Sequence, residues 1–266
     1  MLVLGAQDIR EIFPMKDAIE ADKKAFLLHS RGETEVPVRI SFSVRNDDKS
    51  QFMPAFVKGD VNRVGIKIVS TFMDNPGRGL PVVTAQVLLL CPETGMVCAM
   101  MDGTEVTKIR TGAISGAATD ILAREDAKVG ALFGTGAQAA SQLEAMLTAR
   151  KLEEVRVFDK NPEWIRGFID RCAPLAESFG TRLVEAVSPK GAVDQADVIT
   201  AVTTSKTPVF DGRDVKEGAH VNGVGSYTPQ ARELDFELID RSRVYVDNRE
   251  AVLAEAGDFL IPMGEG

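Results

Sequence analysis

The chain has 266 residues, 44% hydrophobic and 26% charged, which is the profile of a soluble globular protein with room for two domains of ordinary size. A formal net charge of −8, with no basic patch interleaved with aromatics, argues against a nucleic-acid partner and reads as solubility. Three cysteines without CxxC spacing, two distant histidines without HExxH and no apolar run beyond Val82–Cys91 point to a cytoplasmic protein with no metal site and no membrane partner.

The N-terminal stretch MLVLGAQDIREIF carries Asp8, Arg10 and Glu11 too early for a secretory apolar core. From Pro14 to Arg31, Met15, Ala18, Ile19, Asp22, Ala25, Phe26 and His29 recur at helical steps, with Gly32 as the stop. Strand patterns follow at Val36–Val44, Gln51–Val57, Val64–Phe72 and Val82–Leu90. Turn signals at Asn46-Asp47-Asp48, Lys58-Gly59-Asp60 and Asn75-Pro76-Gly77 separate them. With no helix pattern between these strands, the first domain, residues 1–122, is expected to be α+β with a mainly antiparallel sheet. Thr104 opens a small-residue helix running to about Arg124.

From Ala127 onward strands and helices alternate. Strands are expected at Val129–Gly134, Val155–Asp159, Arg182–Val187, Val198–Val202, Val221–Gly225 and Val244–Asp247. That alternation predicts a doubly wound parallel sheet of Rossmann type over residues 123–266. The ending, FLIPMGEG, is neither a helix stop nor a polar tail and reads as a chain that halts in mid-fold.

The segment KVGALFGTGAQAASQLEAML, Lys128 to Leu147, carries the most specific signal. An apolar run breaks at Gly134-Thr135-Gly136 and a helix pattern follows, so backbone N–H groups and the positive end of a helix dipole can receive a phosphate. Gly134 permits the turn, Gly136 lets a pyrophosphate approach, and Ala139 stands for the third glycine of the fingerprint. GxGxxA alone is a weak signal. A second strand ending in Asp159, at about the interval expected for a ribose-binding carboxylate, strengthens it. The cofactor expected is NAD: a carboxylate at Asp159 repels a 2′-phosphate, while the ammonium of neighbouring Lys160 leaves NADP open.

Three cations stand in apolar surroundings: Arg39 in VPVRISF, Lys67 in GIKIVSTF and Arg110 in KIRTGA. Alternation puts Lys67 with Gly65 and Val69, opposite Ile66 and Ile68. Each alone fits a surface or ion-paired residue. Together, ahead of a dinucleotide fold, they suit the carboxylate of an α-amino or α-imino acid, with a desolvated lysine able to move a proton. Thr203-Thr204-Ser205 and Asn222-Gly223-Val224-Gly225 sit where an open α/β sheet exposes its carboxyl edge, either as ligand contacts or as ordinary tight turns.

MPAF from Met53, GIK from Gly65, GLPVVTAQVLLL from Gly79, MDGTEVTKIRTGA from Met101, GTGAQA, and GAHVNGVGSYTPQAREL from Gly218 together resemble the ornithine cyclodeaminase and mu-crystallin family over nearly the whole chain. The resemblance implies a homodimer built through the first domain, with substrate between the two domains. It implies that Arg39, Lys67 and Arg110 hold the substrate carboxylate and that Lys67 transfers a proton. It further implies cofactor contacts at Thr84, Arg110, Ala137, Gln138, Asp159, Thr203 and Gly223–Gly225, beside Gly134 and Gly136 of the glycine turn. An NAD(P)-dependent oxidoreductase interconverting a small imino or keto acid with an amino acid is the expected activity. A cyclodeaminase recycling NAD is the second reading, weakened because Tyr227 stands where cyclodeaminases carry an aspartate. A dinucleotide-dependent binding protein without catalysis is the third, and retention of the three cations argues against it. The family usually continues for several dozen residues past this ending.

Overall fold

The computed structural model describes residues 1–45 and 48–265; the first two residues of the turn expected at Asn46-Asp47-Asp48 lie outside the described residues. The chain forms two compact units, Met1–Arg110 and Thr111–Gly266.

The first unit runs β1 (Leu2–Leu4), α1 (Ala6–Ile12), α2 (Met15–Ser30), β2 (Thr34–Glu35), β3 (Ile40–Arg45), β4 (Asp48–Val57), β5 (Arg63–Thr71), β6 (Val83–Leu90) and β7 (Val97–Asp102). These strands form one seven-stranded sheet in the order β1-β7-β6-β5-β4-β2, with β3 also on β4. Every pairing is antiparallel except β1 with β7. The expected strand over Val36–Val44 is shorter than its pattern. Pro37 has no N–H to give a ladder, and Val36 and Val38 are exposed, so pairing stops at Glu35 and resumes at Ile40. β1 and β7 complete the sheet beyond the expected strands; the hairpin into β7 turns at Gly95, whose φ of +70° suits glycine.

Helix α3 (Gly103–Leu122) follows β7 directly, and the division between the units falls inside it. Asp102 caps its start by accepting the Glu105 N–H at 2.8 Å. Gly103 is required there because a Cβ would lie 2.7 Å from the backbone of Ala85 and Gln86.

The second unit continues with β8 (Val129–Phe133), α4 (Ala139–Ala149), β9 (Glu154–Phe158), α5 (Pro162–Ser178), β10 (Arg182–Glu185), α6 (Pro189–Val193), β11 (Val198–Ala201), β12 (His220–Gly223), α7 (Phe236–Asp240), α8 (Arg249–Glu255) and α9 (Gly257–Glu265). Its five strands are all parallel, in the order β10-β9-β8-β11-β12. This is the doubly wound α/β arrangement that the alternation predicts, with the chain reversing direction across the sheet at β8 and β11. Both faces are covered. Leu132, Leu143, Met146, Val155, Val157 and Phe168 pack in one core cluster, while Phe133, Val193, Ile199, Phe210 and Leu238 pack in another. Alternate residues of one strand, Leu132 and Phe133, thus enter opposite layers.

Val244–Asp247 is not a strand. Val244, Tyr245 and Val246 are all exposed and no ladder among the described residues pairs them, although β12 ends the sheet with one edge open.

Candidate functional site

In the first unit the strand ladder positions Lys67. Lys67 on β5 faces Met53 on β4 and Val87 on β6, and Val87 faces Met101 on β7. Directly opposed residues in an antiparallel sheet share a face. Arg39 lies just before β3, whose first residue, Ile40, pairs with Phe52, the chain neighbour of Met53. Arg110 comes to Lys67 from α3. Burial, then the charges of Arg110 and Arg39, lower the Lys67 pKa from 10.5 to about 8. Near neutral pH a lysine so tuned is mostly protonated, yet it can lose its proton without strong base.

The register places Thr84 elsewhere. It pairs with Ser70, in the row that carries Ile68 and Gln86 rather than Lys67, so its side chain belongs to the opposite face of the sheet. Its assignment as a cofactor contact is supported by resemblance alone.

Asp22, read from the sequence only as a member of a helical stripe, feels the charge of Arg110. Its Oδ2 is buried without a hydrogen-bond partner, and burial lifts its pKa from 3.8 to about 6 against the opposing pull of Arg110. The sequence signal was an acid on the buried face of an amphipathic helix.

In the second unit β8 ends in the glycine turn. Gly134 has φ +97°, and a Cβ there would meet the Val202 carbonyl oxygen at 2.8 Å. Gly136 faces open space. Among the described residues no acceptor bonds the backbone N–H groups of Gly136, Ala137 or Gln138, immediately before α4. Three open donors at the positive end of an eleven-residue helix fit a pyrophosphate. The Oε1 of Gln138 is buried without a partner in the same turn. These features fit a bound dinucleotide.

Asp159, just beyond β9, ties this turn down. Its Oδ2 accepts from the Thr135 N–H at 3.0 Å and the Thr135 hydroxyl at 2.8 Å, while Oδ1 accepts from the Asn161 N–H at 3.1 Å. A carboxylate oxygen can accept more than one bond, so Oδ1 still has capacity for a ribose hydroxyl. Asp159 therefore shapes the phosphate turn as well as standing where a ribose carboxylate is expected.

Thr203 and Gly225, after β11 and β12, are joined by a residue the sequence reading passed over. Glu233 is fully buried. Its Oε1 accepts from the Thr203 N–H and hydroxyl, and its Oε2 accepts from the Gly225 N–H. Gly225 has no room for a side chain, since a Cβ would sit 2.1 Å from the Thr203 carbonyl oxygen. Asp258 at the start of α9 accepts the N–H groups of Glu233 and Leu234 and fixes this carboxylate in turn. Nothing local in PQAREL marks Glu233 as buried, because its donors lie 30 and 8 residues away.

A parallel sheet with a glycine turn, open N–H donors and a carboxylate after its second strand defines a dinucleotide-binding protein. The chain belongs to the ornithine cyclodeaminase/mu-crystallin family, whose model matches residues 1–263. It is 37% identical to the Delta(1)-pyrroline-2-carboxylate reductase of Thermococcus litoralis, solved in complex with NADH and L-proline. That structure superimposes with a TM-score of 0.90, over 100% of this chain and 81% of the other. An archaeal alanine dehydrogenase dimer with bound NAD is 30% identical at a TM-score of 0.88, over 100% of this chain and 80% of that one. A Delta(1)-pyrroline-2-carboxylate reductase of Bacillus cereus is 34% identical over 267 aligned positions, covering 100% of this chain and 81% of the relative.

Proposed function

We propose that the first unit holds the carboxylate of a small α-amino or α-imino acid through Arg39 and Arg110, with Lys67 as the proton-transfer group. The observation that carries this reading is Lys67, partly buried on β5, with Arg110 and Arg39 both near enough to help bring its pKa to about 8. The chain is an NAD-dependent oxidoreductase of imino and amino acids, as its relatives and structural neighbours are. Bound NAD supplies the hydride acceptor in the oxidative direction and, when reduced, the hydride donor. The arginines fix the carboxylate and so orient the adjacent α-carbon. Neutral Lys67 takes a proton from the substrate nitrogen as the C=N bond forms. In the reductive direction the protonated amine returns it.

The open turn at Gly136–Gln138, Asp159, Thr203 and the Gly223–Gly225 segment are the residues that would hold the dinucleotide. Tyr227, largely exposed just after Gly225, brings no carboxylate to that loop, which favours a reductase or dehydrogenase over a cyclodeaminase. The three free cysteines fit a reducing, cytoplasmic setting.

The test is to follow the absorbance of reduced nicotinamide with Δ1-pyrroline-2-carboxylate, pyruvate with ammonia, and L-proline. Turnover of at least one is expected. Silence of folded, NAD-binding protein across all of them would sink the reading.

A homodimer through the sheet of the first unit is part of the same proposal. Ile40 and Phe42 are more than half exposed on the face opposite Lys67, and they continue a surface formed by Phe52, Ile66, Ile68 and Leu88. An apolar face of that breadth is unusual on a monomer. Sedimentation should give twice the mass of one chain, and Phe42→Glu should shift it to one copy. Monomeric wild type at micromolar concentration would contradict the proposal.

A further inference from the structure

Strand register fixes what surrounds Lys67 on its face of the sheet. Met53 on β4 and Val87 on β6 are its directly opposed partners. Directly opposed Cβ atoms in an antiparallel sheet lie about 4.5–5.5 Å apart, so these two side chains flank the lysine stem. Towards Gly65 the face is filled, since a Cβ there would lie 3.3 Å from Cδ2 of Leu89. Towards Val69 the next row holds Gln51 and Ala85. Among the described residues no Asp or Glu stands in the Lys67 row or in the row on either side of it. Met53, Lys67 and Val87 are all partly exposed, so this row is open to a ligand rather than sealed in a core.

A proton passes between Lys67 and a substrate nitrogen only when the two nitrogens lie within about 3 Å. The α-carbon is bonded to that nitrogen, and the substrate's side chain starts from the α-carbon. Its first carbons therefore come within reach of the residues that flank the lysine. Resting on the reading of Lys67 as the proton-transfer group of an amino- or imino-acid site, we propose that Met53 and Val87 seat the substrate's side chain and select acids in which it is aliphatic and carries no ammonium. A thioether chain and an isopropyl group offer apolar contact and bind no charge. A side chain ending in a second ammonium would meet the like charge of Lys67 and find no acid to receive it. In a cyclic imine the ring carbons are the side chain, so the same seat serves a small ring.

The test titrates L-alanine, L-norvaline and L-ornithine by calorimetry into NADH-saturated protein at pH 7, where none turns over. Norvaline adds two methylenes to alanine, and ornithine is norvaline with a terminal ammonium. At about fourfold per buried methylene, wild type is expected to bind norvaline roughly tenfold tighter than alanine. Ornithine should bind more weakly than norvaline by roughly tenfold or more. In Met53→Gln, which keeps the length of the chain, and in Val87→Ala the preference for norvaline should shrink towards one, while alanine binding stays within about threefold. Variants that melt like wild type and keep the full preference would overturn the seat and leave the amino-acid reading standing. So would a wild type that binds ornithine as tightly as norvaline, or norvaline no tighter than alanine, and these comparisons need no variant to fold. Failure of wild type to bind any of the three, or L-proline, would overturn the amino-acid reading itself.

Discussion

Lys67→Gln is expected to lower turnover of the preferred imino or amino acid by about a hundredfold to ten-thousandfold, the usual contribution of a positioned acid–base group. Its pH dependence is as diagnostic as its size. In the proposed mechanism Lys67, with a pKa of about 8, is the acid in imine reduction and the base in amine oxidation. In wild type kcat/KM for reduction should fall as pH rises through about 8, and kcat/KM for oxidation should rise through the same value. The variant should lose that inflection in both directions. Stability should move the other way. A lysine whose folded pKa lies below its unfolded value of 10.5 penalises the fold while it is charged. The penalty is full below about 8 and is relieved as pH climbs from there to 10.5. Removing the charge should therefore leave the melting temperature at pH 7 unchanged or raised. A marked fall in melting temperature, or an inflection near 8 that survives in the variant, would show that Lys67 is not the proton-transfer group.

What the sequence showed and what it hid divide along physical lines. The glycine turn was legible because everything that defines it is local: an apolar run, two glycines, a helix pattern and an acid at the end of the following strand. The three cations were legible as anomalies, charged residues inside apolar runs. Their proximity depends on long-range pairing, since β4 lies between β3, which follows Arg39, and β5, which carries Lys67. Asp22 was hidden by its own periodicity, since it fits the stripe by position and breaks it only by chemistry. Val244–Asp247 looked like a strand because alternation records what a segment can do, not whether it pairs. β7 went unread because a turn at Gly95 returns the chain after Leu90, and its run Val97–Asp102 already shades into the helix motif that follows.

Glu233→Gln should both destabilise the second unit and weaken NADH binding, by one cause. The carboxylate faces only donors: the N–H and hydroxyl of Thr203 at one oxygen, the N–H of Gly225 at the other. Glutamine has the same shape but must place its NH2 at one of those ends. Either orientation then sets a donor against a donor in a site closed to water. Desolvation raises the Glu233 pKa, and the nearby charge of Asp258 adds to it, so the fold already works against ionisation here and keeps the carboxylate through these bonds. For an acid raised in this way, stability declines as pH rises from the unfolded value of 4.5 through the folded one, and the variant should lack that decline. At pH 7 the unmatched donor should cost about 1–3 kcal/mol. That corresponds to a fall of roughly 2–10 °C in the melting of this unit. Because Thr203 and Gly225 terminate the two strands nearest the glycine turn on that side of the sheet, their displacement should also raise the Kd for NADH by roughly tenfold or more. Calorimetric titration and thermal melting of the same preparation check both effects. If melting falls while NADH affinity holds, Glu233 is a core residue only; if neither moves, the hydrogen bonds through Glu233 do not hold the two loops together.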